Sequence, residues 1–228
     1  MTSTAGVEHQ PGLFSCRLST TDYHGKPCLF LDRDGVLVEE THYLHRTEDV
    51  VLVSGVAEAI ANANLLGVPV VMVTNQAGIG RGYYGWHDFE RVQQHIIAAC
   101  GSLGARWDMM LACAYHGEGI APYRQEGHAW RKPEPGMLLE AARVLGVDLS
   151  CSHIVGDTFA DLVAGARAGL PNGTLVLTGH GEREWREGGE AALAQYEKSG
   201  SFVAHIARDG AEAIQNWLAG FTRDANVA

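Results

Sequence analysis

The stretch Leu29-Phe30-Leu31-Asp32-Arg33-Asp34-Gly35-Val36 decides the fold that we expect for the rest of the chain. Its three apolar residues predict a short buried strand, and that strand runs directly into two carboxylates. Burying an unpaired charge is energetically costly, so two acids at the end of a buried strand indicate a functional role such as catalysis. Side chains two residues apart leave a strand on the same side, so Asp32 and Asp34 are expected to converge while Arg33 points away. One carboxylate that attacks and one that exchanges a proton suit a hydrolase with a covalent intermediate. The alternative interpretation is a solvated turn or a helix cap, because Asp and Gly are also common in loops.

Composition narrows the classes of protein that this chain can belong to. It has 228 residues, a net charge of −10 and no basic run, which argues against nucleic acid or an anionic membrane surface as a partner. No apolar stretch approaches the roughly 20 residues of a membrane span, and the N-terminus lacks a signal pattern. The five cysteines are scattered along the chain, as is usual in a reducing compartment. We expect a cytoplasmic monomer.

The order of apolar runs predicts an α/β fold. Residues 1–26 have no clear period and are predicted to be an N-terminal extension, followed by a single domain over 27–228. Continuous apolar runs predict five strands, at about 29–31, 68–74, 109–114, 152–155 and 175–177. Helical spacing predicts helices at about 56–66, 86–103, 135–145, 160–168 and 211–218. Strands that alternate with helices are typical of a parallel sheet covered on both faces.

Polar residues follow three of these strands, at the sheet edge where open α/β sheets bind ligands. Thr74 is placed to offer its hydroxyl and backbone N–H to a phosphate oxygen, or only to cap its strand. Asp157 is placed to complete an Mg²⁺ site with Asp32 and the backbone carbonyl of Asp34. An N-cap for the following helix is the alternative for Asp157, and both roles are compatible.

Two further charged residues belong to the same hypothesis. A lysine near the nucleophile, such as Lys132, would reduce the repulsion between Asp32 and an incoming phosphate dianion. Asp161 lies one helical turn after Asp157, where it could hold a metal-bound water, orient Lys132, or be a solvated acid. An isolated Arg131-Lys132 pair is ordinarily solvated surface, so this signal is weak by itself.

Taken together, four segments resemble the motifs of the haloacid dehalogenase (HAD) superfamily. They are Leu31-Asp32-Arg33-Asp34-Gly35-Val36, Val73-Thr74-Asn75-Gln76-Ala77-Gly78-Ile79, Arg131-Lys132-Pro133-Glu134-Pro135-Gly136-Met137 and Val155-Gly156-Asp157-x-x-x-Asp161. Within the superfamily the chain is most similar to the heptose-bisphosphate and histidinol-phosphate phosphatases. The resemblance implies a capless, Rossmann-like sheet and Mg²⁺-dependent hydrolysis of a small phosphomonoester.

The resemblance also implies a role for each motif residue. Asp32 would be the nucleophile and Asp34 the general acid and base. Mg²⁺ would lie on Asp32, the Asp34 carbonyl and Asp157. The phosphate would be bound by Thr74, Asn75 and Lys132, with Arg131 as a further substrate contact.

The long loop of residues 115–132 departs from the family pattern. Related phosphatases usually hold a structural zinc there through Cys-x-His and Cys-x-Cys pairs, whereas this chain has Cys113-Ala114-Tyr115 and His128-Ala129-Trp130. A zinc site could still be formed by Cys113, His116 and His128 with one other ligand, but these three are one short of the four that structural zinc nearly always has. We therefore expect no structural zinc and a loop held by packing.

Three residues are candidates for binding the rest of the substrate. Tyr43 and His45 match a Tyr-x-His of the heptose phosphatases, and Arg81 is placed to pair with a second phosphate. Each could also be ordinary surface. These matches favour a heptose bisphosphate over histidinol phosphate, whose ammonium would need an acidic partner such as Glu39, Glu40, Glu118 or Glu126. A phosphotransferase of the same superfamily and a silent phosphosugar-binding protein are the remaining alternatives.

Overall fold

The computed structural model describes residues 7–199 and 201–224, and within them one eight-stranded sheet organises the chain. In chain order the strands are β1 (Val7–Gln10), β2 (Leu13–Arg17), β3 (Leu29–Leu31), β4 (Val70–Asn75), β5 (Met109–Cys113), β6 (His153–Gly156), β7 (Asn172–Val176) and β8 (Val203–Ala207). Their order across the sheet is β1-β2-β5-β4-β3-β6-β7-β8. Strands β3 to β8 pair in parallel, while β1 and β2 form an antiparallel hairpin that adds to β5.

Within the described residues, seven α-helices accompany the sheet. They are α1 (Val56–Leu65), α2 (Ala77–Gly80), α3 (Trp86–Ser102), α4 (Gly136–Leu145), α5 (Phe159–Ala168), α6 (Gly181–Ser199) and α7 (Gly210–Asp224). Helices α1, α3 and α7 contribute to the apolar core on one face of the sheet, and α4 and α5 to the core on the other. None of the described helices combines the length and the apolar character needed to span a bilayer.

The predicted α/β fold with helices on both faces is confirmed. In β4, Val70 and Met72 belong to one core while Val71 and Val73 belong to the other. A strand that buries alternate residues in two cores has no polar face, which is why these strands read as continuous apolar runs. All eight described strands belong to the same sheet, as expected of a capless fold.

Three strands and two helices were not predicted. β1, β2 and β8 carry polar residues and lie at or near the edges of the sheet, so they lack the apolar runs of the central strands. Residues 1–26, predicted as an extension, thus contribute the β1–β2 hairpin to the sheet. The helix α6 was also missed, because its sequence GEREWREGGEAALAQYEKS is mostly polar, and α2 has only four residues.

The connections between strands create a crevice at the carboxyl end of β3. From β3 the chain passes to β4 and β5 on one side, and then returns to β6, β7 and β8 on the other. At such a reversal the loops that follow neighbouring strands diverge and leave room for a ligand. The segments that follow β3, β4 and β6 therefore meet at one place.

Candidate active site

The loops that carry Asp32 and Asp157 approach each other closely at a glycine, Gly35, which has no side chain to keep them apart. The backbone N–H of Asp32 still bonds to the Val155 carbonyl of β6, at 3.0 Å. The chain then turns at Gly35, whose φ is 75°, and a Cβ there would come within 2.6 Å of the Asp157 Oδ2 atom. Any residue with a side chain would therefore push the loop away from Asp157.

A buried lysine, Lys132, connects Asp161 to the candidate nucleophile Asp32. Lys132 Nζ lies 2.9 Å from Asp32 Oδ1 and 2.5 Å from Asp161 Oδ1, and the Lys132 side chain is 2% exposed. It also donates to the Val73 carbonyl at the end of β4, at 2.8 Å. Burial opposes the charge on Lys132, but Asp161 and Asp32 outweigh it and raise the pKa of the ammonium. The lysine is therefore a fixed cation.

The backbone of Lys132 is held by Asn75. The Asn75 side-chain amide donates to the Lys132 carbonyl at 2.9 Å, and its Oδ1 accepts from the Lys132 N–H at 3.1 Å. This reciprocal pair occupies the amide group that was predicted to bind phosphate. The structure thus gives Asn75 a part in placing Lys132.

Three carboxylates crowd around this lysine. Asp32, Asp157 and Asp161 each offer an oxygen within 4.8 Å of the other two. Burial raises the pKa of Asp32 to about 7; Lys132 opposes this increase, and Asp161 and Asp34 add to it. Burial, together with Asp32 and Asp161, raises the pKa of Asp157 to about 9. One lysine is too little positive charge for this cluster.

The donor set fits a hard divalent cation. Asp161 uses one oxygen for Lys132 and the other for the hydroxyl and N–H of Thr158. Asp157 uses Oδ2 to accept the His180 N–H at 2.8 Å, and Asp32 uses Oδ1 for Lys132, so each of these two acids keeps its other oxygen for a ligand. Carboxylate oxygens with room for water are the ligands that Mg²⁺ prefers.

The alternative role for Asp157, as an N-cap, was wrong. Thr158 is the N-cap of α5, and it forms a capping box with Asp161. This arrangement also settles Asp161, which is 1% exposed and orients Lys132 as one of its alternatives predicted.

Next to Asp34 lies a polar cavity of about 200 Å³. Its walls come from several loops at the carboxyl edge of the sheet: Arg33, Asp34, Glu40, His42, Tyr43, Asn75, Gln76, Tyr84 and His180. Thr74 is buried behind it, and its hydroxyl accepts a hydrogen bond from Gln76 Nε2 at 2.9 Å. The predicted Thr74 thus stands one side chain away from the cavity.

The prediction that Arg33 points away from the site was wrong. Arg33 Nε and Nη2 donate to the two carboxylate oxygens of Asp34, at 3.0 and 2.9 Å. The alternation of side chains applies only within a strand, and β3 already ends at Leu31. Beyond it the backbone turns, so the parity of the sequence no longer fixes the direction of a side chain.

The three substrate candidates have different surroundings. Tyr43 lines the cavity with a left-handed backbone (φ 60°), and its hydroxyl accepts a hydrogen bond from Arg81. Arg81 also pairs with Glu118, with Nη2 2.6 Å from Oε2. The ring of His45 instead stacks on Tyr84, with centroids 5.3 Å apart, so His45 supports the cavity wall.

The loop after β5 is held by aromatic packing. Tyr115 stacks on His128 with ring centroids 4.3 Å apart, and its hydroxyl donates to the Pro11 carbonyl in the β1–β2 turn. Arg131 donates to the Tyr115 carbonyl at 3.0 Å. His116 contacts Arg81 and the Glu118 N–H rather than Cys113. Among the described residues the only cluster of three potential metal ligands is the one formed by Asp32, Asp157 and Asp161.

Residues that were not predicted complete the site. Gln76 and Tyr84 lie behind Asp34, and His180 lines the cavity from the loop after β7. The strand-end rule that selected Thr74 and Asp157 also applies after β7, where Thr178 and then His180 follow the predicted strand 175–177, but neither residue was predicted to belong to the site. Gln76 follows Thr74 by two residues, a spacing that offered a signal.

Comparisons with known proteins agree with this geometry. The HAD-hydrolase-like family model matches residues 129–205. A D-glycero-beta-D-manno-heptose-1,7-bisphosphate 7-phosphatase from Mesorhizobium japonicum is 44% identical over 180 residues, which cover 77% of this chain and 83% of the relative. A phosphatase of the same name from Pasteurella multocida is 37% identical, with 68% and 83% covered.

Solved structures extend the similarity to the fold. A HAD-like phosphatase from Mesorhizobium loti has a TM-score of 0.72 and 45% identity, over 75% of this chain and 82% of that chain. The D,D-heptose 1,7-bisphosphate phosphatase from B. bronchiseptica, complexed with magnesium and phosphate, has a TM-score of 0.71 and 28% identity, over 85% and 99%. The motifs, the fold and these relatives agree, and the chain belongs to the HAD family of phosphatases.

Proposed function

We propose that this protein hydrolyses a sugar bisphosphate, of the heptose 1,7-bisphosphate class, through an aspartyl-phosphate intermediate on Asp32. The observation that carries the proposal is the ion pair between Asp32 and buried Lys132 at the carboxyl end of β3. A carboxylate held by a fixed cation is oriented for attack and is less repelled by an anionic substrate. The names of the similar phosphatases supply the substrate class.

The reaction divides between two acids. Asp32 attacks phosphorus while the bond from phosphorus to the sugar oxygen breaks, and Asp34 gives a proton to that oxygen. Water then attacks the aspartyl phosphate, and Asp34 takes a proton from it as phosphate leaves and the Asp32 carboxylate is restored. Lys132 holds Asp32 throughout, and Asp161 and Asn75 hold Lys132.

Magnesium belongs to the same proposal. Asp32, Asp157 and the backbone carbonyl of Asp34 would hold it, and the crowding of buried carboxylates at this place supports a cation. When bound, Mg²⁺ supplies positive charge that offsets the negative charge of the phosphate and the nucleophile. Thr74 is proposed to contact the phosphate.

The rim of the site supports a second anionic group on the substrate. Burial lowers the pKa of Arg131, the Cys113 thiol opposes this effect, and Arg81 adds to it. Burial followed by both arginines also lowers the pKa of His116. Two positive guanidinium groups near each other favour the binding of an anion, and a guanidinium binds phosphate with two parallel hydrogen bonds. The exposed Glu118 carboxylate pairs with Arg81, and a phosphate would replace it.

The test compares one substrate with two phosphates and one with a single phosphate. Arg81→Ala and Arg131→Ala should each raise KM for heptose 1,7-bisphosphate by about 10- to 100-fold, as expected for a lost charge-assisted contact. KM for heptose 7-phosphate should stay within about threefold, since it lacks the second anion. Arg91→Ala, which removes an exposed arginine from α3, is the matched control. Equal effects on both substrates would remove the second-phosphate role.

Histidinol phosphate is the comparison substrate from the same family. Glu40 lines the cavity beside Asp34, so a carboxylate is available for an ammonium group. A higher kcat/KM for histidinol phosphate than for the heptose bisphosphate would replace the proposed substrate. Release of free phosphate, rather than transfer to a labelled alcohol, would separate hydrolysis from a phosphotransferase. A monomer in the cytoplasm, where the five free cysteines stay reduced, is part of this proposal.

A further inference from the structure

Arg33 is an unusual residue for the interior of a protein. It lies between the two acids of the first motif, and its side chain is 1% exposed. By residue volume, it is the largest of the fully buried side chains in the described part of the chain. A buried guanidinium is costly unless its charge is paired with good geometry. The position therefore requires a reason beyond filling space.

The pairing of Arg33 is directed at a single group. Its Nε and Nη2 atoms donate to Oδ1 and Oδ2 of Asp34, at 3.0 and 2.9 Å. Two parallel bonds to one carboxylate fix the plane of that carboxylate as well as its position. A single ammonium could fix only the distance, because it has no planar fork.

The guanidinium makes two further contacts besides those with Asp34. Its Nη2 atom also lies 3.4 Å from the Leu44 carbonyl, and the group sits over the Phe89 ring, 5.7 Å from the centroid. Phe89 belongs to the buried core and α3. Arg33 thus connects the Asp34 carboxylate to the buried core.

A second contact supports the same carboxylate. Gln76 Nε2 lies 3.4 Å from Asp34 Oδ2, and the Tyr84 hydroxyl donates to Gln76 Oε1 at 2.6 Å. The tyrosine fixes which end of the amide faces Asp34. The Asp34 side chain is 21% exposed and forms part of the cavity wall, so one side of it is held and the other faces the ligand space.

We propose that Arg33 is a positioning residue that holds the Asp34 carboxyl group at the cavity wall, where the leaving oxygen of the substrate lies. The inference rests on the proposed function, because it assigns the task of Arg33 through the proton transfer of Asp34. Arg33 keeps its own protons and touches neither the phosphorus nor the attacking water. Its contribution is to keep the acid in reach, since an unrestrained carboxyl would visit other rotamers.

The test uses the acidity of the leaving group. The sugar alcohol of heptose 1,7-bisphosphate needs a proton as its bond to phosphorus breaks, whereas p-nitrophenolate leaves without one. In Arg33→Met, kcat/KM should fall at least about 100-fold for the heptose bisphosphate and less than about fivefold for p-nitrophenyl phosphate. Asp34→Asn should show the same selective loss. Arg33→Met combined with Asp34→Asn should be no slower than Asp34→Asn alone, because both changes remove one function.

Controls separate positioning from folding. Arg33→Lys keeps the charge but not the fork, so it should show the same selective loss with unchanged thermal unfolding. It carries the test if Arg33→Met does not fold. Arg46→Met removes an exposed arginine and should alter neither substrate. Equal losses on the two substrates, or losses that add to those of Asp34→Asn, would overturn the positioning role alone. A wild-type protein that hydrolyses neither substrate would instead overturn the proposed function.

Discussion

At the residue scale, the two acids of the first motif differ in the cation that each faces. Asp32 pairs with the point charge of Lys132, whereas Asp34 pairs with the planar fork of Arg33. The ammonium contacts one oxygen of Asp32 and offsets its charge, which leaves the second oxygen available for attack. A guanidinium fixes a carboxylate in one plane. The different partners agree with a nucleophile at Asp32 and a proton carrier at Asp34.

The nucleophile assignment gives a direct prediction. Asp32→Asn should lower turnover more than about 10⁴-fold, because an amide oxygen cannot form the aspartyl phosphate. The amide keeps the size of the carboxylate and removes one charge from a crowded acidic cluster, so the fold should persist. Circular dichroism should match the wild type. Rapid acid quenching with labelled substrate should trap a phosphoenzyme in the wild type and none in the variant.

Asp22→Asn is the matched control, because Asp22 is an exposed acid near the N-terminus that bonds to the His24 N–H. It should retain full turnover and a normal phosphoenzyme. Turnover of Asp32→Asn within tenfold of the wild type would exclude the covalent mechanism.

At the scale of elements, the loop between β5 and α4 is attached to the β1–β2 hairpin. Tyr115 makes this connection, through its stack on His128 and its hydroxyl bond to Pro11. The ring also fills the space beside Gly12, where a Cβ would come within 2.6 Å of it. The loop that carries Arg131 and His116 is therefore braced by a hairpin at the edge of the sheet.

Because the loop is held by these contacts, we predict that it is stable without a bound zinc ion. The purified protein should contain less than stoichiometric zinc by elemental analysis, and chelators that remove zinc should leave its unfolding temperature unchanged. Tyr115→Ala should lower stability by about 1–3 kcal/mol, because it loses an aromatic stack and a hydrogen bond, and should raise KM for the bisphosphate. Tyr115→Phe retains the stack and should lose less. One tightly bound zinc per chain would contradict this account.

The sequence allowed the centre of the sheet to be predicted, but not its edges. Strands β3, β4, β5 and β6 are buried on both faces, so each reads as an apolar run. In β3, β4 and β6 that run ends in a polar residue. An edge strand such as β8 meets solvent, and its sequence VAHIA resembles that of a loop. The hairpin of β1 and β2 is stabilised by pairing with β5, a contact that no local pattern encodes.

Some residues of the candidate site could likewise be predicted from the sequence, and others could not. Asp32, Asp157, Thr74 and Lys132 could be predicted because each stands in a motif or at the end of an apolar run. The directions of Arg33 and Asn75 could not, because they depend on turns beyond the strands and on a partner 57 residues away. Tertiary contacts of this kind leave no periodic signal.

At the scale of the whole molecule, the acidic cluster makes stability depend on pH. Burial raises the pKa of Asp32 to about 7 and that of Asp157 to about 9, above the ordinary aspartate value of about 4. The folded protein therefore binds protons that the unfolded chain has released. Its stability from these groups is complete below pH 4 or so and is lost as pH rises through the two folded pKa values. Burial lowers the pKa of His153 to about 4, which acts in the opposite direction but only below about pH 6.5.

From pH 6.5 to about pH 8 the acidic cluster sets this slope, and above that buried thiols such as Cys28 and Cys113, whose pKa values burial raises, add to it. The shift caused by a metal is therefore the measurement that isolates the cluster. Without a divalent cation, a folded state that holds about one extra proton loses roughly 1.4 kcal/mol per pH unit, or roughly 3 to 5 °C in unfolding temperature. Saturating Mg²⁺ displaces those protons, so the rise in unfolding temperature caused by Mg²⁺ should grow steadily from pH 6.5 to pH 9. Asp157→Asn removes a metal ligand and the most perturbed acid, and should reduce the pH slope above about pH 7.5 and abolish most of the Mg²⁺ shift. Calorimetry of the chelated and Mg²⁺-saturated proteins measures both quantities. A stabilisation by Mg²⁺ that is the same at pH 6.5 and pH 9 would mean that the cation binds elsewhere, since a site among these carboxylates must compete with their protons.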